Sequence, residues 1–145
     1  MILMILILAG CFEQPDCLIN NTNSLKIALK GKTLGKDTTV TFISIRALKV
    51  EGTLYANKPL GSLEIPIQID DSVTTVIFDY TSKKAKLTSD TLVVGYRNEL
   101  RVISPDCGAY VYQHDIHITK TNFEKTNVTA PVLLTTVKKN LEIFL

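Results

Sequence analysis

The stretch SLEIPIQID, residues 62–70, has the most regular pattern in the chain and decides the class of fold. Its apolar residues occur at every second position: Leu63, Ile65, Ile67 and Ile69. A period of two is typical of a β-strand with one buried face. Because proline has no amide hydrogen to donate to a neighbouring strand, Pro66 predicts that this strand lies at a sheet edge. The edge from Leu63 to Ile69 is therefore a candidate docking site for a partner protein.

The same alternation recurs on both sides of this stretch, with turn residues about every ten positions. Further strands are predicted within residues 25–30, 38–50, 51–61, 76–80, 91–104, 108–119, 132–137 and 141–145. No segment has a sustained helical period, although Phe123–Asn127 could form one helical turn. The pattern predicts an all-β protein, an antiparallel β-sandwich of about seven to nine short strands. A small β-barrel is the alternative.

Two predicted strands near the middle of the chain carry most of the candidate side chains. Residues 91–104, TLVVGYRNELRVIS, are interpreted as a hairpin with its turn near Arg97 and Asn98. From Gly108 to Thr119, alternation predicts one common face formed by Tyr110, Tyr112, His114, Ile116 and Ile118.

Composition limits the classes of function. The 145 residues suit one domain, and a net charge of +2 with scattered basic residues does not indicate nucleic-acid binding. There is no Trp, so stacking on carbohydrate would depend on Tyr and Phe. We expect a signal peptide at residues 1–10, an anchor and tether at 11–22, and a single β-sandwich domain at 23–145.

The amino-terminal segment MILMILILAG, residues 1–10, is apolar and too short to cross a bilayer as a helix. It suits the apolar region of a secretory signal. The following LAGC, Leu8–Cys11, resembles the lipobox of bacterial lipoproteins, in which the cysteine is acylated and becomes the first mature residue. Because residues 1–10 carry no Lys or Arg, we expect the signal to start further upstream. The alternative is a buried strand with an ordinary cysteine.

The two remaining cysteines, Cys17 and Cys107, make an even number in an oxidising compartment. A disulfide between them is predicted, closing a loop of about ninety residues and contributing about 4 kcal/mol. A metal site is the weaker alternative, because two His and no C-x-x-C leave few soft ligands. We expect no metal and no cofactor.

The segment HDIH, residues 114–117, is the nearest approach to a reactive site. On a strand, His114 and His117 point to opposite sides, and His114 is expected to be a core or interface residue. A triad of Ser104, either His114 or His117, and Asp115 has no supporting local signature, so the sequence does not predict an enzyme.

Three tripeptides resemble the Asp-Ser/Thr-apolar motif for O-glycosylation in exported Bacteroidota proteins. They place candidate sites at Thr38, Ser72 and Thr91, all expected in turns or at strand starts. Ordinary turn chemistry is the alternative.

The lipobox, the Cys17 and Cys107 pair with Gly108, the segment SPDCGAYVYQHDIHIT and the closing NLEIFL together resemble a known family. It is a family of uncharacterised Bacteroidota lipoproteins, a domain of unknown function about as long as this chain. The resemblance implies an outer-membrane lipoprotein with a β-rich domain, no known activity and no catalytic residues.

We therefore expect a non-enzymatic lipoprotein, anchored at Cys11, that serves as an accessory or binding subunit of an envelope protein complex. Either face of the outer membrane is compatible with the sequence. A different expectation is capture of a glycan or small ligand at the cell surface by an exposed aromatic platform. Its candidate residues are Tyr55, Tyr96, Tyr110 and Tyr112.

Overall fold

The computed structural model describes residue 17 and residues 19–81 and 86–145. These residues contain nine β-strands. They are β1 (Ser24–Lys30), β2 (Val40–Ala47), β3 (Tyr55–Leu60), β4 (Ser62–Pro66), β5 (Val73–Thr81), β6 (Leu87–Ser104), β7 (Gly108–Thr121), β8 (Lys125–Val128) and β9 (Leu141–Phe144).

The strands form two sheets, one of order β4-β1-β9-β8 and one of order β3-β2-β5-β6-β7. Neither sheet closes on itself within the described residues, so the small barrel is wrong and the arrangement is consistent with the predicted β-sandwich. The prediction of an all-β fold is confirmed. One pairing is not antiparallel, because β1 and β9 run parallel, with Ile27 opposite Leu141.

The core lies between the inner faces of the two sheets and is built by the alternation read from the sequence. In β1, Leu25, Ile27 and Leu29 are buried while the residues between them are partly exposed. On the facing sheet, Phe78 packs against Phe42 and Phe123, with ring centres 5.6 Å and 5.2 Å apart. Each fully buried aliphatic or aromatic side chain contributes roughly 1.5–3 kcal/mol, so this core supplies most of the stability.

The hairpin predicted at Arg97 and Asn98 is wrong, because β6 continues without interruption through both residues to Ser104. Asn98 bonds elsewhere rather than closing a turn: its amide nitrogen donates to the carbonyl oxygens of Ile69 and Asp71, at 3.0 and 2.5 Å. The actual turn lies between Ser104 and Gly108.

The strand predicted at residues 132–137 is also wrong. Val132 and Leu134 form isolated bridges, to His114 and Asn21. The carbonyl oxygens of this segment accept side-chain donors, with Asn140 bonding Val132 at 2.7 Å and Lys26 bonding Val137 at 2.8 Å. Lys26 also bonds the carbonyl of residue 135.

Residues 123–127 do not form the helical turn allowed by the sequence. Most of the segment belongs to β8, whose Lys125 and Val128 lie opposite Phe144 and Leu141 of β9. The segment thus contributes to an edge strand of the four-stranded sheet.

The predicted disulfide is present, with the Cα atoms of Cys17 and Cys107 5.6 Å apart. The predicted signal peptide at residues 1–10 and acylated Cys11 lie outside the described residues. Among the residues that are described, no helix is long and apolar enough to span a bilayer.

Candidate functional site

The outer half of the β6–β7 hairpin is an exposed feature of the fold. Pairing between β5 and β6 ends at Gly95, whereas β6 and β7 remain paired as far as Ser104 and Gly108. The paired segments 97–104 and 108–114 therefore extend beyond β5, and together they are called the arm. At its tip, the amide of Cys107 donates to Ser104 Oγ at 3.1 Å, and Gly108 has a φ of 70°, which glycine adopts without strain.

Directly paired residues share a side of a hairpin, so the register divides the arm into two faces. The apolar face is a continuation of the core side of β6, and none of its residues is charged. Its pairs are Asn98 with Gln113, Leu100 with Val111, and Val102 with Ala109. The aromatic–ionic face is on the other side. Its pairs are Arg97 with His114, Glu99 with Tyr112, and Arg101 with Tyr110.

The aromatic–ionic face is held by a chain of contacts. The guanidinium carbon of Arg101 lies 3.8 Å from the centre of the Tyr112 ring, and that ring stacks on His114 with centres 5.6 Å apart. Arg101 also donates two hydrogen bonds to the Glu99 carboxylate, each 3.2 Å long. A nitrogen of His114 lies 3.6 Å from the same carboxylate. Cation, carboxylate and rings therefore form one connected surface.

Electrostatics on this face follow from the same contacts. The pKa of Glu99 lies below its usual range, mainly because Arg101 donates hydrogen bonds to the carboxylate. The pKa of Arg101 is raised by that same bond. Because both side chains are nearly half exposed, water and salt screen their attraction. The pair orders the surface more than it stabilises the fold.

The apolar face is partly covered near the sandwich and uncovered further out. Gln113, close to the sandwich, is completely buried. The side-chain nitrogen of Asn21 lies 3.4 Å from Gln113 Oε1 and bonds the carbonyl oxygen of Val111. Leu100 and Val102, nearer the tip, are 69% and 73% exposed. The apolar side chains that would belong to the core elsewhere on β6 thus lie open to solvent here.

A bulge in β7 separates the arm from the sandwich. Asp115 has a φ of 55°, and three residues of β7 advance from His114 to His117 while two of β6 advance from Gly95 to Arg97. The extra residue reverses which side of β7 faces the core. The core-facing side chain is consequently an odd-numbered residue, Gln113, before the bulge and an even-numbered one, Ile116, after it.

The prediction that Tyr110, Tyr112, His114, Ile116 and Ile118 share one face is therefore wrong. Ile116 faces the core, whereas His114 lies on the aromatic–ionic face and is not a core residue. Its side chain is 27% exposed.

The four tyrosines of the predicted platform lie in three different places. Tyr96 is buried, and its hydroxyl donates to the carbonyl oxygen of Gln68 at 2.9 Å. Tyr55 lies on β3, where its hydroxyl bonds the backbone of Glu64. Only Tyr110 and Tyr112 lie together on the arm, each half-buried.

Ser104, Asp115 and His117 are not brought into one cleft. Ser104 pairs with Gly108 at the arm tip, while His117 pairs with Gly95. The two positions are nine steps apart along β6, a distance of about 30 Å. His117 instead covers Gly95, where an added Cβ would lie 2.5 Å from a ring nitrogen. Among the described residues, no group of three His, Cys, Asp or Glu is placed to hold a metal ion.

The candidate glycosylation residues differ in exposure. Ser72 is exposed just before β5, and Thr38 is partly exposed in the β1–β2 loop. Thr91 is not at a strand start as predicted, because it lies inside β6 opposite Ile77. A sugar is therefore most easily accommodated at Ser72 among the three.

The predicted docking edge is confirmed as an edge, since β4 is the outermost strand of its sheet. It is, however, short: β4 ends at Pro66, and Ile69 lies beyond it in a turn. Its exposed side presents Ser62, Glu64 and Pro66, a combination that discourages pairing with another strand. The arm offers a longer open surface.

A shallow groove lies at the end of the sandwich opposite the arm. It consists of two adjoining cavities of about 590 and 240 Å³ that share Lys32, Tyr80 and Leu145. Tyr80 donates a hydrogen bond to the Asp90 carboxylate at 2.5 Å. Burial and this carboxylate raise the pKa of Tyr80 to about 12. None of the four predicted platform tyrosines lines the groove.

Both strands of the arm lie in a part of the chain that matches a known family model. Residues 39–145 match a family of unknown function, DUF6452. The chain belongs to this family. The DUF6452 match includes β2 to β9, the whole arm and Cys107, whereas β1 and Cys17 precede it. Searches of curated proteins and of solved structures gave no match. The predicted membership of a domain of unknown function is confirmed.

Proposed function

We propose that this DUF6452 protein is a Bacteroidota lipoprotein, acylated at Cys11 and held on the outer membrane, where it serves as a non-enzymatic accessory or binding subunit of an envelope protein complex. The observation that supports this most directly is the disulfide between Cys17 and Cys107. Cys17 follows Cys11 by six residues, so an acyl anchor at Cys11 brings the arm close to the membrane. An arm in that position suits a partner that is held at the surface of the same membrane.

The aromatic–ionic face is the proposed contact surface. Tyr and Arg are enriched at protein interfaces, because they combine a large apolar area with directional hydrogen bonding. Here Arg101 and Tyr112 are already ordered against each other. Charges of both signs, from Arg97 to Asp115, give the face a pattern that a partner can match.

Mass spectrometry of the mature amino terminus tests the anchor, and an unmodified Cys11 would refute it. The partner is tested by pull-down from detergent-solubilised envelopes, comparing wild type with Arg101→Ala. The matched control is Arg46→Ala, which also removes a half-exposed arginine from a surface ion pair, with Asp79 at 3.1 Å. We expect Arg101→Ala to lose a protein that Arg46→Ala retains. Recovery of the same proteins with both variants would refute the proposed surface.

A second candidate function is capture of a surface glycan or small ligand. The half-exposed rings of Tyr110 and Tyr112 favour it, because aromatic side chains stack on sugar rings. Calorimetry with envelope oligosaccharides would distinguish the two functions. Saturable heat that Tyr112→Ala abolishes would support glycan capture, and its absence would leave the accessory function as the better explanation.

A further inference from the structure

The disulfide and the length of the preceding segment restrict how far the arm can lie from an anchored Cys11. Six residues span at most about 20 Å when fully extended. Cys17 is bonded to Cys107 at the arm tip, with Cα atoms 5.6 Å apart. If Cys11 is acylated, the arm tip therefore remains within a short distance of the lipid headgroups.

The uncovered apolar side chains lie close to this tip. Val102 pairs with Ala109, two residues from Cys107, which places it about 7 Å along the strand. Leu100 pairs with Val111, four residues from Cys107, or about 13 Å along the strand. Both distances are shorter than the reach of the segment between Cys11 and Cys17.

The two faces of the arm differ in chemistry in the way an interfacial element requires. The apolar face carries no charged residue, while the other face carries Arg97, Glu99 and Arg101. Elements that lie on a membrane bury an apolar side into the boundary between headgroups and acyl chains and leave charges in water. Ile19, 46% exposed and only two residues from Cys17, adds a further apolar side chain to this end of the molecule.

We propose that the apolar face of the arm rests on the lipid surface of the membrane, with Leu100 and Val102 entering the boundary between headgroups and acyl chains. This rests on the proposed acylation of Cys11, which supplies the proximity. The contact orients the domain, because the acyl chains hold one point while the arm supplies a second. The aromatic–ionic face then points away from the bilayer and is left free for a partner protein.

The acyl chains alone would hold the protein on vesicles, so vesicle binding does not test the proposal. The measurement must instead report how deeply the arm enters the bilayer. The chain contains no Trp, and Leu100→Trp therefore gives a single tryptophan, on the apolar face, that can be excited without the tyrosines. Leu34→Trp is the matched control, since Leu34 is 75% exposed but lies in the β1–β2 turn beside the groove at the other end. Both acylated proteins would be reconstituted into phosphatidylethanolamine–phosphatidylglycerol vesicles containing brominated acyl chains.

We expect several-fold stronger quenching, and a blue shift of emission, for the fluorophore at position 100 than for the one at position 34. Equal weak quenching of two vesicle-bound proteins would overturn the proposal while leaving the anchor intact. Weak quenching with a blue shift that appears only after solubilised envelope protein is added would overturn it in favour of a protein on this face. Failure of the proposed acylation is distinguished by vesicle flotation, because a protein without acyl chains does not float with the vesicles.

Discussion

Leu92 and Leu100 lie on the same side of the same strand, yet one is completely buried and the other is 69% exposed. Around Leu92, the facing four-stranded sheet covers the apolar side of β6. Around Leu100, β6 has extended past that sheet, and no described residue replaces it. The comparison between the inner half of the hairpin and the arm shows that alternation specifies a side of a strand, whereas burial depends on what faces that side.

Loss of the disulfide is expected to have the largest effect. The double variant Cys17→Ser with Cys107→Ser should lower the free energy of unfolding by about 4 kcal/mol, because the cross-link closes a loop with a sequence separation of 90. Chemical denaturation measures the change, and reduced wild type should match the variant. Hydrogen exchange should accelerate in the arm more than in the inner half. Uniform acceleration would contradict the distinction between the two halves.

The contrast between the two leucines can be tested directly. Leu92→Ala should cost about 3 kcal/mol, because it leaves a cavity in a covered core. Leu100→Ala should change the free energy of unfolding by less than about 0.5 kcal/mol, because the side chain is already in water. Thermal or urea unfolding of the purified domain checks both. Similar losses in the two variants would mean that the apolar face of the arm is covered in solution.

Gln113 lies at the boundary between the covered and uncovered parts of the apolar face. Its side-chain nitrogen is buried and has no hydrogen-bond partner among the described residues. Since an unpaired buried donor is costly, Gln113→Met should raise the free energy of unfolding by about 1 kcal/mol. Gln113→Glu is the control and should destabilise, because it buries a charge. Destabilisation by both variants would show that the amide is satisfied in solution.

The smallest expected effect concerns Tyr80, at the end of the inner half furthest from the arm. Its pKa is raised from 10.0 to about 12 by burial and by the Asp90 carboxylate. Because the folded state holds the proton more tightly, the stabilising contribution is complete below pH 10 and is lost as the pH rises through about 12.

Ultraviolet titration should show two late tyrosines in wild type, because burial also raises the pKa of Tyr96, and only one in Tyr80→Phe. The free energy of unfolding should also fall less steeply with alkaline pH in that variant. Asp90→Asn, which keeps the shape but removes the charge, should bring the titration to lower pH. A titration of Tyr80 that Asp90→Asn does not change would assign the shift to burial alone.

Local alternation was sufficient to predict the class of fold, the edge position of β4 and the strands β1 and β5. The disulfide was also predictable, because two cysteines remained once Cys11 was assigned to the anchor. The strand features depend on residues that are close in sequence, and the disulfide depends on the number of cysteines. None of them requires knowledge of the facing sheet.

The arm could not be predicted in the same way. The turn expected at Arg97 and Asn98 did not form because Asn98 bonds the carbonyl oxygens of Ile69 and Asp71, which are distant in sequence. Asp115 tolerates a positive φ, but nothing in the neighbouring residues indicates that a bulge is there. That one residue moved His114 from the expected core to the aromatic–ionic face. The sequence alone therefore does not reveal the aromatic–ionic face, because the bulge shifts the alternation of β7 by one residue.

The parallel pairing of β1 with β9 has a consequence for how the chain reaches its native state. In the order β4-β1-β9-β8, the last of the nine strands occupies an inner position beside the first. The bond between Lys26 and Asn140 spans 114 residues, so the sheet cannot be completed until Leu141–Phe144 has left the ribosome. Contacts so distant in sequence slow folding. The four-stranded sheet is therefore assembled last, whereas the strands of the five-stranded sheet all lie within residues 40–121 and can pair before β9 has been synthesised.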